Sequence, residues 1–183
     1  DFYLPQVVPT VLFVLKQIID VNQVRLQKQL ILEEYMIIKP LLFGDPLWES
    51  FAEYAHNCSW GVGEILAKQM RAHHFSDWER VFVALNRSNF AGYCTFVKTD
   101  CIPDVPYTPY ISTVFVDEEY RGNRLSEKLI RFVLEYAKQL GFEKVYLVSN
   151  SVNLYEKYGF VKIDAKPAPW DPSDIETIFV HAT

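Results

Sequence analysis

Three consecutive segments near the middle of the chain limit the fold more than any other feature. YISTVFV, Tyr110–Val116, is dense in β-branched and aromatic residues and reads as a buried strand. A helical pattern follows, with Leu125, Leu129, Val133, Tyr136, Ala137 and Leu140 on one face and Gly141 at its end. KVYLVS, Lys144–Ser149, is then a second buried strand. Strand, helix and strand in that order predict a parallel pair joined by a right-handed crossover. The neighbouring segments are of another kind. RVFVALN and FAGYCTFVK, Arg80–Asn86 and Phe90–Lys98, flank the turn RSN and predict an antiparallel hairpin. FVKI and TIFVHA predict a closing pair of strands around the proline-rich loop AKPAPWDPSD. The expected fold class is therefore α/β of the mixed α+β kind. Its central sheet is mixed and mostly antiparallel, is parallel only at its middle, and is flanked by helices.

Upstream, Met36–Ile38 suggest a first strand halted by Pro40, and Glu49–Asn57 and Val62–His74 read as two short helices. TDCIPDVPYTP, with three prolines, must be a loop. Further back, Val11, Leu12, Leu15, Ile18, Ile19, Val24 and Leu30 recur near helical spacing. Residues 1–33 are thus expected to be a helical N-terminal extension to a domain at 34–183. The apolar run VVPTVLFVL is interrupted by Pro9 and Thr10, is too short to cross a membrane, and lacks the positive flank of a signal peptide. A soluble cytoplasmic protein with no membrane partner is the expectation.

Composition narrows the function. Half of the residues are hydrophobic, 22% are charged and the formal net charge is −5, so a globular domain without a nucleic-acid face is expected. The three cysteines, Cys58, Cys94 and Cys101, have no CxxC or Cys/His spacing, which argues against disulfides and against a metal site.

The chemistry is expected beyond the carboxyl end of Tyr110–Val116, where a helix start presents free N–H groups. RGNRLSEK occupies that place. A helix start attracts phosphate through its unpaired donors and partial positive charge, whatever the side chains. This turn holds a single glycine, Gly122, with Arg124 and Ser126 further on. Arg124 excludes the most strained backbone that a glycine could adopt there, but it keeps its N–H. Its side chain can face either the phosphates or solvent.

The stretch VFVDEEYRGNRLSEKLI, followed one strand later by NLYEKYGF, resembles the GNAT superfamily of acetyl-CoA-dependent N-acetyltransferases. The resemblance is specific over Tyr110–Phe160 and looser, through element order, over Glu34–Thr183. The acyl-CoA signature of that family runs Arg or Gln, two free positions, Gly, one free position, then Gly or Ala. Arg121 matches its start, while Arg124 and Ser126 stand at its two small positions. The resemblance implies the GNAT fold and acetyl-CoA as cosubstrate. Backbone N–H groups across Gly122, Asn123, Arg124, Leu125 and Ser126 would hold the pyrophosphate, and Phe115 and Val116 would pair with the pantetheine arm. Asn153 is a candidate for a further polar contact to the pantetheine. Tyr155 is implied to be the general acid for the leaving thiolate, and the Val116 N–H to face the developing oxyanion.

The general base stays open among Asp100, Asp104, Glu64, His73, His74 and a water relay. Trp48, Phe51, Trp60, Tyr107, Tyr110 and Trp170 could line an amine pocket, and could equally form core or a homodimer surface. The implied partner is a small-molecule amine or a peptide amine. An acyl-CoA-binding module without catalysis is the alternative.

Overall fold

The structure, a computed structural model, describes residues 8–75, 77–151 and 153–183. In chain order its elements are α1 (Val8–Glu34), β1 (Met36–Leu41), α2 (Trp48–Asn57), α3 (Val62–Arg71), β2 (Arg80–Asn86), β3 (Asn89–Val97), β4 (Tyr110–Val116), α4 (Leu125–Gln139), β5 (Lys144–Ser149), β6 (Val161–Pro167) and β7 (Ile175–Ala182). Short 3₁₀ turns occupy Glu118–Tyr120 and Tyr155–Tyr158. The chain divides into two units, Asp1–Met36 and Ile37–Thr183. The first is described by α1, whose side chains at Val11, Leu12 and Leu30 lie outside the described residues. Among the described residues no helix is long and apolar enough to cross a membrane.

The strands form one sheet in the order β1-β2-β3-β4-β5-β7-β6. Every adjacency given a register is antiparallel except β4 with β5, which is parallel. The expected mixed, mostly antiparallel sheet is therefore present. Two strands run further than sequence reasoning expects. β1 continues through Pro40 to Leu41, and β6 continues through the first residues of the proline-rich loop to Pro167. Both are edge strands, where a proline can leave its missing N–H pointing away from the sheet. Conversely, α3 ends at Arg71 rather than His74, because His73 takes a left-handed backbone with φ of 53°.

Core packing divides between the two faces of the sheet. Phe51, Ala55, Leu66 and Met70 from α2 and α3 pack with Val81, Val83 and Tyr93. The Leu129, Ile130, Val133 and Ala137 stripe of α4 is buried as its period predicts. Phe82, two residues from neither Val81 nor Val83 but between them, faces the other way and meets the rings of Phe132 and Tyr136. Each such large side chain contributes about 1.5–3 kcal/mol when fully buried. Trp48 and Phe51 are accordingly core residues, 8% and 0% exposed.

Candidate active site

The site begins with a fault in β4. Tyr93 pairs with Phe115, but Thr95 pairs with Ser112, so β4 carries one residue more than β3 between these pairs. Thr113 lies in the bulge with φ of 48°, and its hydroxyl bonds to that of Thr95 at 2.9 Å. Such a bulge bends its strand and increases the local twist. β4 and β5 share a single register pair, Tyr110 with Tyr146, whereas β5 pairs with β7 along its whole length. Beyond Tyr110 the two parallel strands separate, and a wedge opens toward their carboxyl ends.

The backbone at the end of β4 faces this wedge. The N–H of Asp117 donates to the carbonyl of Ala91 at 3.0 Å. Alternation along an antiparallel ladder then directs the Phe115 N–H toward β3 and the Val116 N–H toward the wedge. The Val116 carbonyl already accepts from Arg121 Nε at 3.0 Å. Of the two positions expected to meet a pantetheine arm, Val116 presents its N–H. Phe115 is buried, and its ring stacks on Trp60 with centroids 6.3 Å apart.

Past the strand, the side chains of the RGNR turn hold the turn itself. Besides Val116, Arg121 bonds Glu118 at 2.6 Å. Asn123 Nδ2 donates to the carbonyls of Tyr120 and Arg121 at 3.1 and 3.2 Å. Gly122 has φ of 79°, a backbone that side chains rarely adopt. Arg124 sits at φ 55° and ψ 28°, outside the glycine-only region but in the left-handed helical well. The turn thus keeps a left-handed backbone at Arg124, where the acyl-CoA signature has glycine, without a glycine.

Arg124 is the N-cap of α4 and makes no side-chain cap hydrogen bond. The first N–H groups of α4 are left facing outward, which is the donor set an anion needs. The Arg124 guanidinium reaches Glu127 instead, at 2.6 Å, and Arg131 reaches the same carboxylate at 2.9 Å. The hydrogen bond from Arg124, then that from Arg131, holds the Glu127 carboxyl below its ordinary range. These two arginines neutralise an acid that would otherwise repel phosphate at the helix start. Leu125 is buried in the core, and the Ser126 hydroxyl shares a 3.1 Å hydrogen bond with the Tyr158 hydroxyl.

Across the wedge, Tyr155 opens the second 3₁₀ turn and is 8% exposed. Burial pushes its hydroxyl up to about 12, partly offset by a hydrogen bond with Ser149 at the end of β5. The phenol therefore stays protonated at neutral pH. Asn153, two residues earlier, is exposed with φ of 58°. Gly159 ends the turn with φ of 96°, and the rings of Tyr155 and Phe160 pack 6.2 Å apart.

Among the base candidates, only Asp100 carries an acid with a raised pKa. Its Oδ1 accepts from Ser112 Oγ at 3.0 Å and from the Cys101 N–H at 2.7 Å. Burial raises its carboxyl above the ordinary range despite those bonds, and its charge reaches Tyr155 and Tyr110. Glu64 is instead an exposed partner of Lys68 at 2.7 Å, and Asp104 is exposed on its loop. His73 packs 4.0 Å from the Phe43 ring. It lines a separate cavity of about 440 Å³ with Phe43, Trp48, Phe75 and Arg80, at the opposite end of the strands from the RGNR turn.

Sequence reasoning missed Thr113, Ser112, Ser149, Tyr146 and Glu176. A bulge leaves no residue signature in YISTVFV. Glu176 did carry a signal, because strand alternation puts it on the same face as Ile178 and Val180.

The sequence profile of the Acetyltransferase (GNAT) family matches residues 45–160, more than half of the chain. The chain belongs to the GNAT acetyltransferase family. Among solved structures, a GNAT-family acetyltransferase from Desulfovibrio desulfuricans is 15% identical with a TM-score of 0.60, over 80% of this chain and 98% of that one. Spermidine/spermine N-acetyltransferase SpeG from Vibrio cholerae is 18% identical with a TM-score of 0.60, over 82% of this chain and 94% of that one. Aminoglycoside 6'-N-acetyltransferase complexed with coenzyme A is 13% identical with a TM-score of 0.61, over 80% of this chain and 96% of that one. At these identities the likeness is one of fold. No curated protein sequence matches the chain. The three cysteines are free thiols, and among the described residues no cluster of His, Cys, Asp or Glu could hold a metal.

Proposed function

We propose that this GNAT domain moves an acetyl group from acetyl-CoA to an amine by direct attack. The observation that carries this reading is the wedge between β4 and β5, which has the Val116 N–H on one edge, the uncapped start of α4 beyond it and the buried Tyr155 hydroxyl nearby. In this reading the N–H groups from Gly122 through Ser126 hold the pyrophosphate. Val116, beside Phe115, meets the pantetheine arm as an added strand would, and Asn153 gives it a polar contact.

The amine must be neutral before it attacks. Asp100, directly or through one water, takes the proton, a role for which a raised carboxylate is better suited than an ordinary one. The new C–N bond forms as the C–S bond breaks, and the Val116 N–H faces the carbonyl oxygen while it gains charge. Tyr155 passes its proton to the departing sulfur and regains one that the attacking nitrogen releases through water, so the products are an amide and a thiol. Two of the neighbours are named for amine acceptors, spermidine and aminoglycosides, which agrees with an amine acceptor here.

The test is a thermal melt with acetyl-CoA followed by turnover on a panel of amines. A ligand at a hundred times its dissociation constant adds roughly 2.7 kcal/mol, so binding should raise the melting temperature visibly. No stabilisation rejects the reading. Stabilisation without turnover on any amine leaves an acyl-CoA-binding module.

A further inference from the structure

The end of β4 is tied to α2 and to the loop after it, residues 58–61, through two neighbouring acids. The Tyr54 hydroxyl on α2 donates to Asp117 Oδ2 at 3.2 Å. The Ser59 hydroxyl on the loop donates to Glu118 Oε1. Arg121 Nη2 reaches that same oxygen at 2.6 Å, while its Nε donates to the Val116 carbonyl at 3.0 Å. Glu118 thus joins a loop far upstream in the chain to the residue that opens the RGNR turn.

The geometry around Val116 shows what this joint holds. The peptide between Val116 and Asp117 is gripped from both sides, by the Ala91 carbonyl on β3 and by the Arg121 guanidinium on the wedge side. In the ladder with β3 the N–H and the carbonyl of Val116 face the same way, so Arg121 holds the edge on which the Val116 N–H is offered. Trp60 of the same loop stacks on Phe115 with 10° between the planes, and the Arg121 guanidinium lies 6.0 Å from the centre of that ring. Arg121 and Glu118 are both half exposed, at 56% and 51%, and an exposed ion pair adds little to folding. Fixing one guanidinium on two partners therefore has its consequence at Val116 rather than in stability.

We propose that Glu118 is a positioning residue for acetyl transfer: with Ser59 behind it, it clamps Arg121 onto the Val116 carbonyl and so keeps the Val116 N–H aimed at the oxygen that gains charge. This rests on the proposed function and adds a residue to it. The carboxylate acts through its oxygen's place and not through its charge. A negative group beside an anion site opposes binding, so its removal does not weaken coenzyme A. Loss of aim instead lowers the rate at saturation. That split separates the clamp from a phosphate contact, whose loss weakens binding, and from a structural residue, whose loss lowers the melting temperature.

The experiment compares the wild type with Glu118→Ala, Glu118→Gln, Ser59→Ala and the Ser59→Ala/Glu118→Ala double variant. Rates are taken at saturating acetyl-CoA with the amine of the panel turned over fastest, and coenzyme A affinity by calorimetry. Glu118→Ala should lower kcat about tenfold, less than the loss of an oxyanion donor outright. Its coenzyme A affinity should be equal to that of the wild type or tighter by up to about fivefold, the scale of one exposed charge. Its melting temperature should move by less than about 4 °C. Glutamine keeps an oxygen for both Ser59 and Arg121, so Glu118→Gln should return kcat to within about threefold of the wild type. Ser59→Ala should lower kcat about threefold by itself and add nothing in the Glu118→Ala background. Unchanged kcat in Glu118→Ala, an equal loss in Glu118→Gln, or additive effects in the double variant overturn the inference.

The side-chain Nε–H resonance of Arg121 gives a reading that needs no acceptor. Held on the Val116 carbonyl, it should exchange slowly with solvent in the wild type and Glu118→Gln, and faster in Glu118→Ala. Equal exchange in Glu118→Ala and the wild type also overturns the clamp. Coenzyme A binding on the same samples separates the two claims. No binding by the wild type sinks the proposed function and the clamp with it, whereas binding with unchanged kcat and unchanged exchange in Glu118→Ala sinks the clamp alone.

Discussion

In the proposed site the carboxyl end of β4 offers a ligand backbone N–H donors, whereas the proposed acceptor side offers side chains from distant segments. The first region is continuous in sequence, from Val116 to Glu127, and its polar side chains bond mostly to one another. The second takes Asp100 from a proline-rich loop, its partner Ser112 from β4 and Tyr155 from the turn after β5. A backbone site tolerates substitution so long as its dihedral angles survive. A side-chain site loses its chemistry with a single carboxyl or hydroxyl. The two regions should therefore respond to mutation in opposite ways.

The largest effect is expected at Tyr155. Tyr155→Phe keeps the packing against Phe160 and Phe179 and removes only the hydroxyl. Loss of a general acid should lower kcat by about 10²–10⁴-fold and leave the acetyl-CoA dissociation constant unchanged, as steady-state rates and calorimetry can report. Equal turnover in mutant and wild type would remove Tyr155 from the chemistry.

Asp100→Asn should come next, with kcat down about 10²-fold and a changed pH profile. A base must be deprotonated, so the wild-type rate should fall as pH drops through the raised pKa of Asp100, above the ordinary carboxylate range. The mutant should lack that limb. Its stability should move the other way. The folded state binds the Asp100 proton more tightly than the unfolded chain does, so the raised acid weakens folding as pH rises through that window. Asp100→Asn should melt higher than wild type at neutral pH, and a lower melting temperature would contradict the assignment.

In the backbone region, Gly122→Ala meets open space but forces a side chain into a left-handed backbone. The strain of roughly 1–2 kcal/mol should appear as about tenfold weaker acetyl-CoA binding, with kcat spared at saturation. The smallest effect is expected at Arg124. Arg124→Gly relieves the left-handed backbone and gives up the exposed guanidinium's pair with the buried Glu127 carboxylate, which Arg131 still holds at 2.9 Å. Acetyl-CoA affinity should stay within about threefold of wild type. A much larger loss would show that the guanidinium itself grips the phosphates.

This contrast also explains what the amino-acid sequence disclosed. The parallel unit, the hairpin and the α4 stripe were legible because each is a local apolar period. The RGNR turn was legible because helix starts bind anions through backbone groups that lie in one continuous segment. β1 ran past Pro40 and β6 reached Pro167 because edge position, which excuses proline, belongs to the sheet and not to the segment. The bulge at Thr113 depends on the register with β3, and the Asp100–Ser112 hydrogen bond joins a loop residue to β4. Neither could be read from YISTVFV or TDCIP alone. Glu176 was nearer to legible than Asp100, since a glutamate in phase with Ile178 and Val180 is an acid facing inward.

The wedge as the acetyl-CoA site is tested most directly by titrating acetyl-CoA into the isotopically labelled protein and following backbone amide resonances. The account expects saturable shifts concentrated at Val116 and at Gly122 through Glu127, with Tyr155 and its neighbours affected as well. Shifts confined to the cavity around Phe43, Phe75 and Arg80, or no shifts at saturating ligand, would contradict it.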